Sequence, residues 1–306
     1  MGFGQVPAGS SWTGLAVDTV LPNPSTRPGL ALPGRVLVEA GSADVPVGHV
    51  VLGLVTRVEP EDPNADRFLL EFHRITASGP FVVPARTRRA VDFAAPLPWE
   101  TPITVVNGQR LLDLRMGLRT QLALDPDLDQ GDLTGLYVHP LPAQELVMGA
   151  LSTLGFTLRQ VGMQAGRLPG VRQALPLHQK IGYWVAPLYA GPITELELTF
   201  VTDRSAVEVI FWLDRRMALA GSATHFSLSR FRLPHAEAAR ADPVKLVDGW
   251  LRRALDRHAD AAAGYHRSPH PRESVHVSRP PEHQLPHPEP PDDETAGGGS
   301  GGGDGT

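Results

Sequence analysis

The sequence predicts a mainly β protein: two antiparallel β-sandwich domains in tandem, with a short helix in the second domain, a C-terminal helix and a disordered tail. Three observations predict it. From Leu112 to Leu124 apolar side chains recur at every second position apart from Thr120, the pattern of a strand with one buried face. The same alternation returns in short, turn-punctuated runs on both sides of that stretch, whereas helical spacing occurs at Pro142 to Leu154 and at Asp242 to Gly264. Beyond Tyr265 the chain is Pro, His, acidic residues and Gly, a composition that buries no core.

Residues 1–13 are expected to form a flexible leader. The first sandwich is expected over 14–128. It begins with a strand at Leu15 to Leu21, then a Pro- and Gly-rich loop to Gly34, then a short strand with Val36 and Val38 facing one way. Pro46 to Val58 places Val50, Leu52, Leu54 and Val58 on a shared face, and Arg67 to Thr76 alternates Phe68, Leu70 and Phe72 against Leu69, Glu71 and His73. Val82 and Val83, then Val91 and Phe93, mark two further strands. The Leu112 to Leu124 strand is long enough that a bulge or kink is expected, with Gly117 as its site.

A dense acidic turn follows. Asp125, Pro126, Asp127, Asp129, Gly131 and Asp132 are expected to form the hinge between the domains, with the second sandwich over 129–234. In that domain Leu146, Val147, Ala150, Leu151 and Leu154 make a helical stripe, and Gly155 is placed as the C-cap. Strands are expected at Phe156 to Val161, Ile193 to Val201, Val207 to Leu213 and Thr224 to Leu233. Asp242-Pro243 reads as the N-cap and first residue of a helix over 242–264, lined by Val244, Val247, Leu251, Ala254, Leu255 and His258. The tail is 265–306.

Composition narrows the function. The chain has no cysteine, which removes disulfides, thiolate metal sites and cysteine nucleophiles, and fits a reducing cytoplasm. No apolar run reaches the roughly 20 residues of a membrane span, and the first residues lack the basic and apolar regions of a signal peptide. Net charge is −5; the tail holds three Arg against seven Asp or Glu, which leaves −1 for the rest. Nucleic acid, which needs a basic footprint, is therefore not an expected partner.

Motifs give little chemistry. Counted from Asp125, an EF-hand would need Gly and Glu where Gln130 and Leu136 stand. The tail histidines, among them His266, His270, His283 and His287, are the weak metal candidates; their Pro-broken spacing gives no fixed geometry. Zincin and P-loop motifs are missing, and no catalytic residue and no cofactor is expected. Candidate partner-binding residues are the basic cluster Arg86, Arg88 and Arg89 and the aromatic loop of Trp99 and Glu100. Asp214, Arg215 and Arg216 are candidates for an ion pair between the domains.

Taken in order, several segments resemble bacterial sporulation-control proteins. They are VDTVL from Val17, LALPGRVLVEAG from Leu30, GPFVVPARTRRAVDFAAPLPWETPIT from Gly79, GLRTQLALDPDLDQGDLTGLYVHP from Gly117, ALSTLGF from Ala150, and LELTF with VEVIFWLDRR ending at Arg216. The PLPWETPIT block is the most specific. The resemblance covers roughly residues 15–216. It implies an arrestin-like pair of β-sandwiches joined by a short hinge, without a known catalytic site: a cytoplasmic regulator of sporulation or cell division that works through protein partners. Family members usually begin with a short amphipathic helix, and here a Gly- and Ser-rich leader stands instead. The competing reading is a small-molecule or carbohydrate-binding sandwich, which the scattered tryptophans (Trp12, Trp99, Trp184, Trp212, Trp250) favour less. Partner identity and oligomeric state are not legible in the sequence.

Overall fold

The computed structural model describes residues 14–60, 62, 64–106, 108–111, 114–124, 130–191, 193–215 and 225–267; for 130–131, 214–215, 225–226 and 261–267 it describes the backbone alone. The leader, most of the acidic turn, Arg216 and the tail from Ser268 therefore lie outside the described residues.

Among the described residues the first half holds eleven strands: β1 (Ala16–Val20), β2 (Ser25–Thr26), β3 (Ala31–Glu39), β4 (Val45–Val58), β5 (Phe68–Ser78), β6 (Phe81–Val83), β7 (Arg88–Pro96), β8 (Val105–Val106), β9 (Gln109–Arg110), β10 (Met116–Leu124) and β11 (Gln130–Val138). One sheet has the order β1-β3-β7. The facing sheet runs β2-β11-β10-β4-β5, with β6 added against β4. Alternation explains the packing: Val36 and Val38 from one sheet meet Val50, Leu52, Leu54, Leu118 and Leu122 from the other in a shared core. Thr19 and Thr120 join the layers by a 2.6 Å hydroxyl contact, and the Asp132 carboxylate accepts the Thr19 N–H at 3.0 Å.

Two expectations are corrected here. Gly117 sits in regular register with Gly135 and Val55, and the bulge falls at Ala123/Leu124. Gly117 is needed for a different reason: a Cβ there would lie 2.6 Å from Leu133 Cδ1. The boundary expected at 128/129 falls inside the β10–β11 hairpin, because β11 pairs with β10 and, in parallel, with β2. Strands β10 and β11, on either side of residues 125–129, are thus paired neighbours within one sheet. Gly131 and Asp132 stand in β11 opposite Gln121 and Thr120, while Asp125, Pro126, Asp127 and Asp129 lie outside the described residues.

The second half holds α1 (Pro142–Thr153), β12 (Thr157–Ala165), β13 (Leu177–Trp184), β14 (Glu195–Thr202), β15 (Ala206–Arg215), β16 (His225–Pro234), α2 (His235–Ala238) and α3 (Pro243–Arg267). Its strands form one antiparallel sheet in sequence order. The layer against it is helical: Val147 and Leu151 of α1 and Val247, Leu251 and Ala254 of α3 pack on Leu196, Leu198, Val207, Val209, Phe211 and Leu213. Mainly β, antiparallel architecture is thus what the chain adopts, with helices in place of the second sheet expected in 129–234. The described residues make one compact unit.

Both helices start as their sequences dictate. The Gln144 side chain reaches back to accept the Leu141 N–H at 2.8 Å, and Asp242 Oδ1 accepts the Lys245 N–H at 3.1 Å. Gly155 ends α1 in the left-handed region at φ +92°. Helix α3 runs three residues beyond the expected end, to Arg267.

Tyr189 ties the loop after β13 to α3. Its hydroxyl donates to Asp248 Oδ1 at 2.6 Å, and burial, then that hydrogen bond, push the phenol up to about 12. The folded value lies above the unfolded one, so this contribution is complete below about pH 10 and is lost as pH rises through 12. Tyr189→Phe is expected to cost about 1–2 kcal/mol at pH 8. Urea midpoints between pH 8 and 12 should fall less steeply for the variant than for the parent chain.

Candidate functional site

The candidate residues separate into two places. Arg86, Arg88 and Arg89 gather at one corner of the first half, where β6 turns into β7. Thr87 caps the turn through its hydroxyl, which donates to Pro84 O at 2.7 Å, and the Ala85 N–H donates to Asp44 Oδ1 at 2.7 Å. Arg86 takes a left-handed conformation, φ +58°, held by its N–H donating to Gly41 O at 2.7 Å. Left-handed backbone is uncommon for a residue with a long side chain. Here it presents an exposed guanidinium that has no side-chain partner among the described residues.

Arg88 faces Glu39 at 3.6 Å, an exposed pair worth little. Arg89 lies over the Phe81 ring at 4.4 Å. Phe81 also lines a broad open groove of about 620 Å³ with Pro46, Val47, Pro80, Val82 and Leu124, and Val82 is 50% exposed. Among the described residues β7 pairs with β3 alone and is the outer strand of its sheet. Positive charge, an apolar groove and a sheet edge therefore share one corner. The sequence pointed to the arginines; Phe81 and Val82 escaped because β6 is three residues long and shows no period.

Trp99 and Glu100 stand elsewhere, and their side chains are committed inside the molecule. Trp99 packs over Gly29, where a Cβ would lie 2.6 Å from the indole, and its ring centroid is 5.8 Å from that of His235. The Glu100 carboxylate accepts the N–H groups of Ala174 (2.8 and 2.9 Å) and Leu175 (2.9 Å). Three residues on, Ile103 is held at both backbone groups by Gln179: its N–H donates to Oε1 at 3.1 Å and its carbonyl accepts from Nε2 at 2.7 Å. Thr104 in turn exchanges hydrogen bonds with Val138. The segment Pro96 to Thr104 is thus a clasp that leaves β7, crosses to the second half and returns. A second join lies where the end of β4 meets β12: the Glu59 N–H donates to Met163 O at 2.7 Å and Glu59 O accepts from Ala165 N at 2.9 Å.

The expected ion pair is placed only in part. Asp214 and Arg215 pair through their backbones with Phe226 and His225 of β16; their side chains, and all of Arg216, lie outside the described residues. His266 belongs to the backbone of α3, and His270, His283 and His287 lie outside the described residues. Among the described residues, no helix is long and apolar enough to cross a membrane.

With the corner and the clasp both inside the first 217 residues, comparison with known proteins becomes informative. The sequence model of a family described as SpoOM protein matches residues 9–217. The chain belongs to that family. A relative from Bacillus subtilis (strain 168), the sporulation-control protein spo0M, is 29% identical over 269 residues, covering 85% of this chain and the whole of the relative. The crystal structure of the Bacillus subtilis sporulation-control protein is similar in fold, with a TM-score of 0.67 and 26% identity over 80% of this chain and 99% of that one. The SpoOM match takes in β1 to β15 and so both ends of the clasp, whereas α3 lies beyond it.

Proposed function

We propose that the chain is a regulator in sporulation or cell-division control that acts in the cytoplasm through protein contact and without catalysis. The observation that carries the reading is membership of the SpoOM family, together with a match to a sporulation-control protein over that protein's whole length. The cysteine-free composition suits a reducing compartment.

The contact surface in this reading is the arginine corner. Arg86 has no side-chain partner among the described residues, Arg88 gives up only a weak exposed pair, and Arg89 over Phe81 borders an apolar groove, a combination that suits an acidic protein segment carrying one apolar anchor. The outer edge of β7 offers such a segment backbone pairing. The clasp serves differently, by holding the two halves in one arrangement.

The test is complementation in Bacillus subtilis deleted for its own sporulation-control protein, coupled to crosslinked capture. The intact chain is expected to restore the spore count and to capture a reproducible protein partner. Arg86→Glu, Arg88→Glu and Arg89→Glu together, all surface changes expected to shift stability by about 0.5 kcal/mol or less each, should lose at least tenfold of that capture. Restoration with capture unchanged in the triple variant would remove the corner from the mechanism. Failure to restore spores would remove the regulatory role itself.

A further inference from the structure

A separate cavity lies between α1, β12, β13 and the β8–β9 hairpin. It is open to solvent on one side and has a volume of about 250 Å³. An apolar cavity of about 150 Å³ accepts benzene, so this volume suits a fused bicyclic ring with a short substituent. The walls are apolar: Val106 and Leu111 on the hairpin side, Met148 from α1, and Phe156, Val161 and Ile181 along the sheet. No Asp, Glu, Lys, Arg or His side chain lines it among the described residues. A charged ligand would lose its hydration there and gain no counter-charge.

The polar side chains on the lining are those of Ser152, Thr157 and Tyr183, each a hydroxyl. Tyr183 is 5% exposed, and its hydroxyl makes no hydrogen bond among the described residues. Burial alone acts on the phenol and pushes it well above the ordinary tyrosine value, so it stays a neutral donor at any ordinary pH. The hydroxyl oxygen is not sealed off from the cavity, so a ligand oxygen placed against it can accept its hydrogen bond in place of water. At the rim stands Leu158, 42% exposed although it lines the cavity, so a bound molecule gains apolar contact there as well.

We propose that this cavity binds a neutral, largely apolar small molecule of up to about a dozen non-hydrogen atoms, one carbonyl or ether oxygen of which accepts a hydrogen bond from the Tyr183 hydroxyl. The site is independent of the arginine corner and stands whether or not the chain acts through protein contact.

Two probes isolate the claim: 2-acetonaphthone, a bicyclic ketone, and naphthalene, its counterpart without an acceptor. Binding of each to the full chain is measured by ligand-observed NMR titration. The ketone is expected to bind about five- to tenfold more tightly than the hydrocarbon, the worth of one hydrogen bond. Tyr183→Phe keeps the ring and removes the donor; it should bring the ratio to about one while leaving naphthalene affinity unchanged. Val106→Trp, which fills the cavity, should abolish binding of both. Should that variant not fold, the Tyr183→Phe comparison decides alone. An unchanged ratio in Tyr183→Phe would overturn the role of the hydroxyl, and no saturable binding of either probe below about 1 mM would overturn the site.

Discussion

Gln179→Leu is expected to destabilise the folded chain by about 2–6 kcal/mol, although it exchanges a polar side chain for an apolar one of similar size in a buried place. Gln179 is 7% exposed and spends both ends of its amide on the backbone of Ile103, which is fully buried. Leucine fills the volume and satisfies neither group. Each orphaned backbone group then costs about 1–3 kcal/mol, because the clasp gives water no access to it. Gln179→Glu separates the two bonds. A protonated carboxyl replaces both donor and acceptor, whereas a carboxylate accepts from Ile103 N–H but leaves the carbonyl unpaired and buries a charge. Its folded-state value is therefore raised, so stability is retained below the unfolded value near 4.3 and lost as pH rises through the folded one. Urea unfolding at pH 4 and pH 8 should show the Glu variant closer to the parent at the lower pH and the Leu variant weak at both. A Leu variant within about 0.5 kcal/mol of the parent would show that Gln179 does not fix the clasp.

That residue also shows where sequence reasoning stopped. Leu177, Gln179, Ile181 and Tyr183 occupy alternate positions of β13 and are all buried, so the period of two marks Gln179 as an inward residue. The strand was hidden because His178, Lys180 and Gly182 on its other face, with Gln179 itself, make the run polar overall. Strands β4, β10, β14 and β15 were legible because their apolar alternation continues, past single threonines at Thr56 and Thr120, and α1 and α3 because their caps and 3.6-residue stripes agree. Pairing was not legible. Alternation says that Ile193 to Val201 buries a face but not whether a sheet or helices cover it, and an Asp-, Pro- and Gly-rich turn has the same composition in a hairpin as in a linker. Trp99 and Glu100 were visible as an unusual pair, but only the fold shows that Gly29 leaves room for the indole and that the loop at Ala174 turns its N–H groups toward the carboxylate. The cavity beneath Tyr183 left no trace in the sequence, since its walls come from four separate segments.

Trp250→Ala is expected to cost about 3–5 kcal/mol and to unfold the whole described unit at a lower denaturant concentration. Trp250 lies three residues after Val247 and four before Ala254, on the buried stripe of α3, and is 5% exposed. Its indole stacks on Phe231 at 5.2 Å with an interplanar angle of 11°, and Phe231 lies 5.7 Å from Phe211, which is fully buried in the middle of the sheet. The ring thus transmits the packing of α3 directly into β15 and β16. Beneath it the helix presents His258, whose Nδ1 lies 2.7 Å from the Ser227 hydroxyl, so losing the indole loosens a face that carries a polar contact as well. Two observables separate the mechanisms. If α3 is part of one cooperative core, far-UV circular dichroism and tryptophan fluorescence from Trp99, Trp184 and Trp212 shift together in urea. If the helix peels away first, helical signal is lost while the fluorescence transition stays in place, and the helical layer is then an accessory to a sheet stable without it. The first outcome is expected, because the face under α3 bears Val207, Val209, Phe211 and Leu213, all with no exposure, and a single sheet cannot leave such a face to water and remain folded.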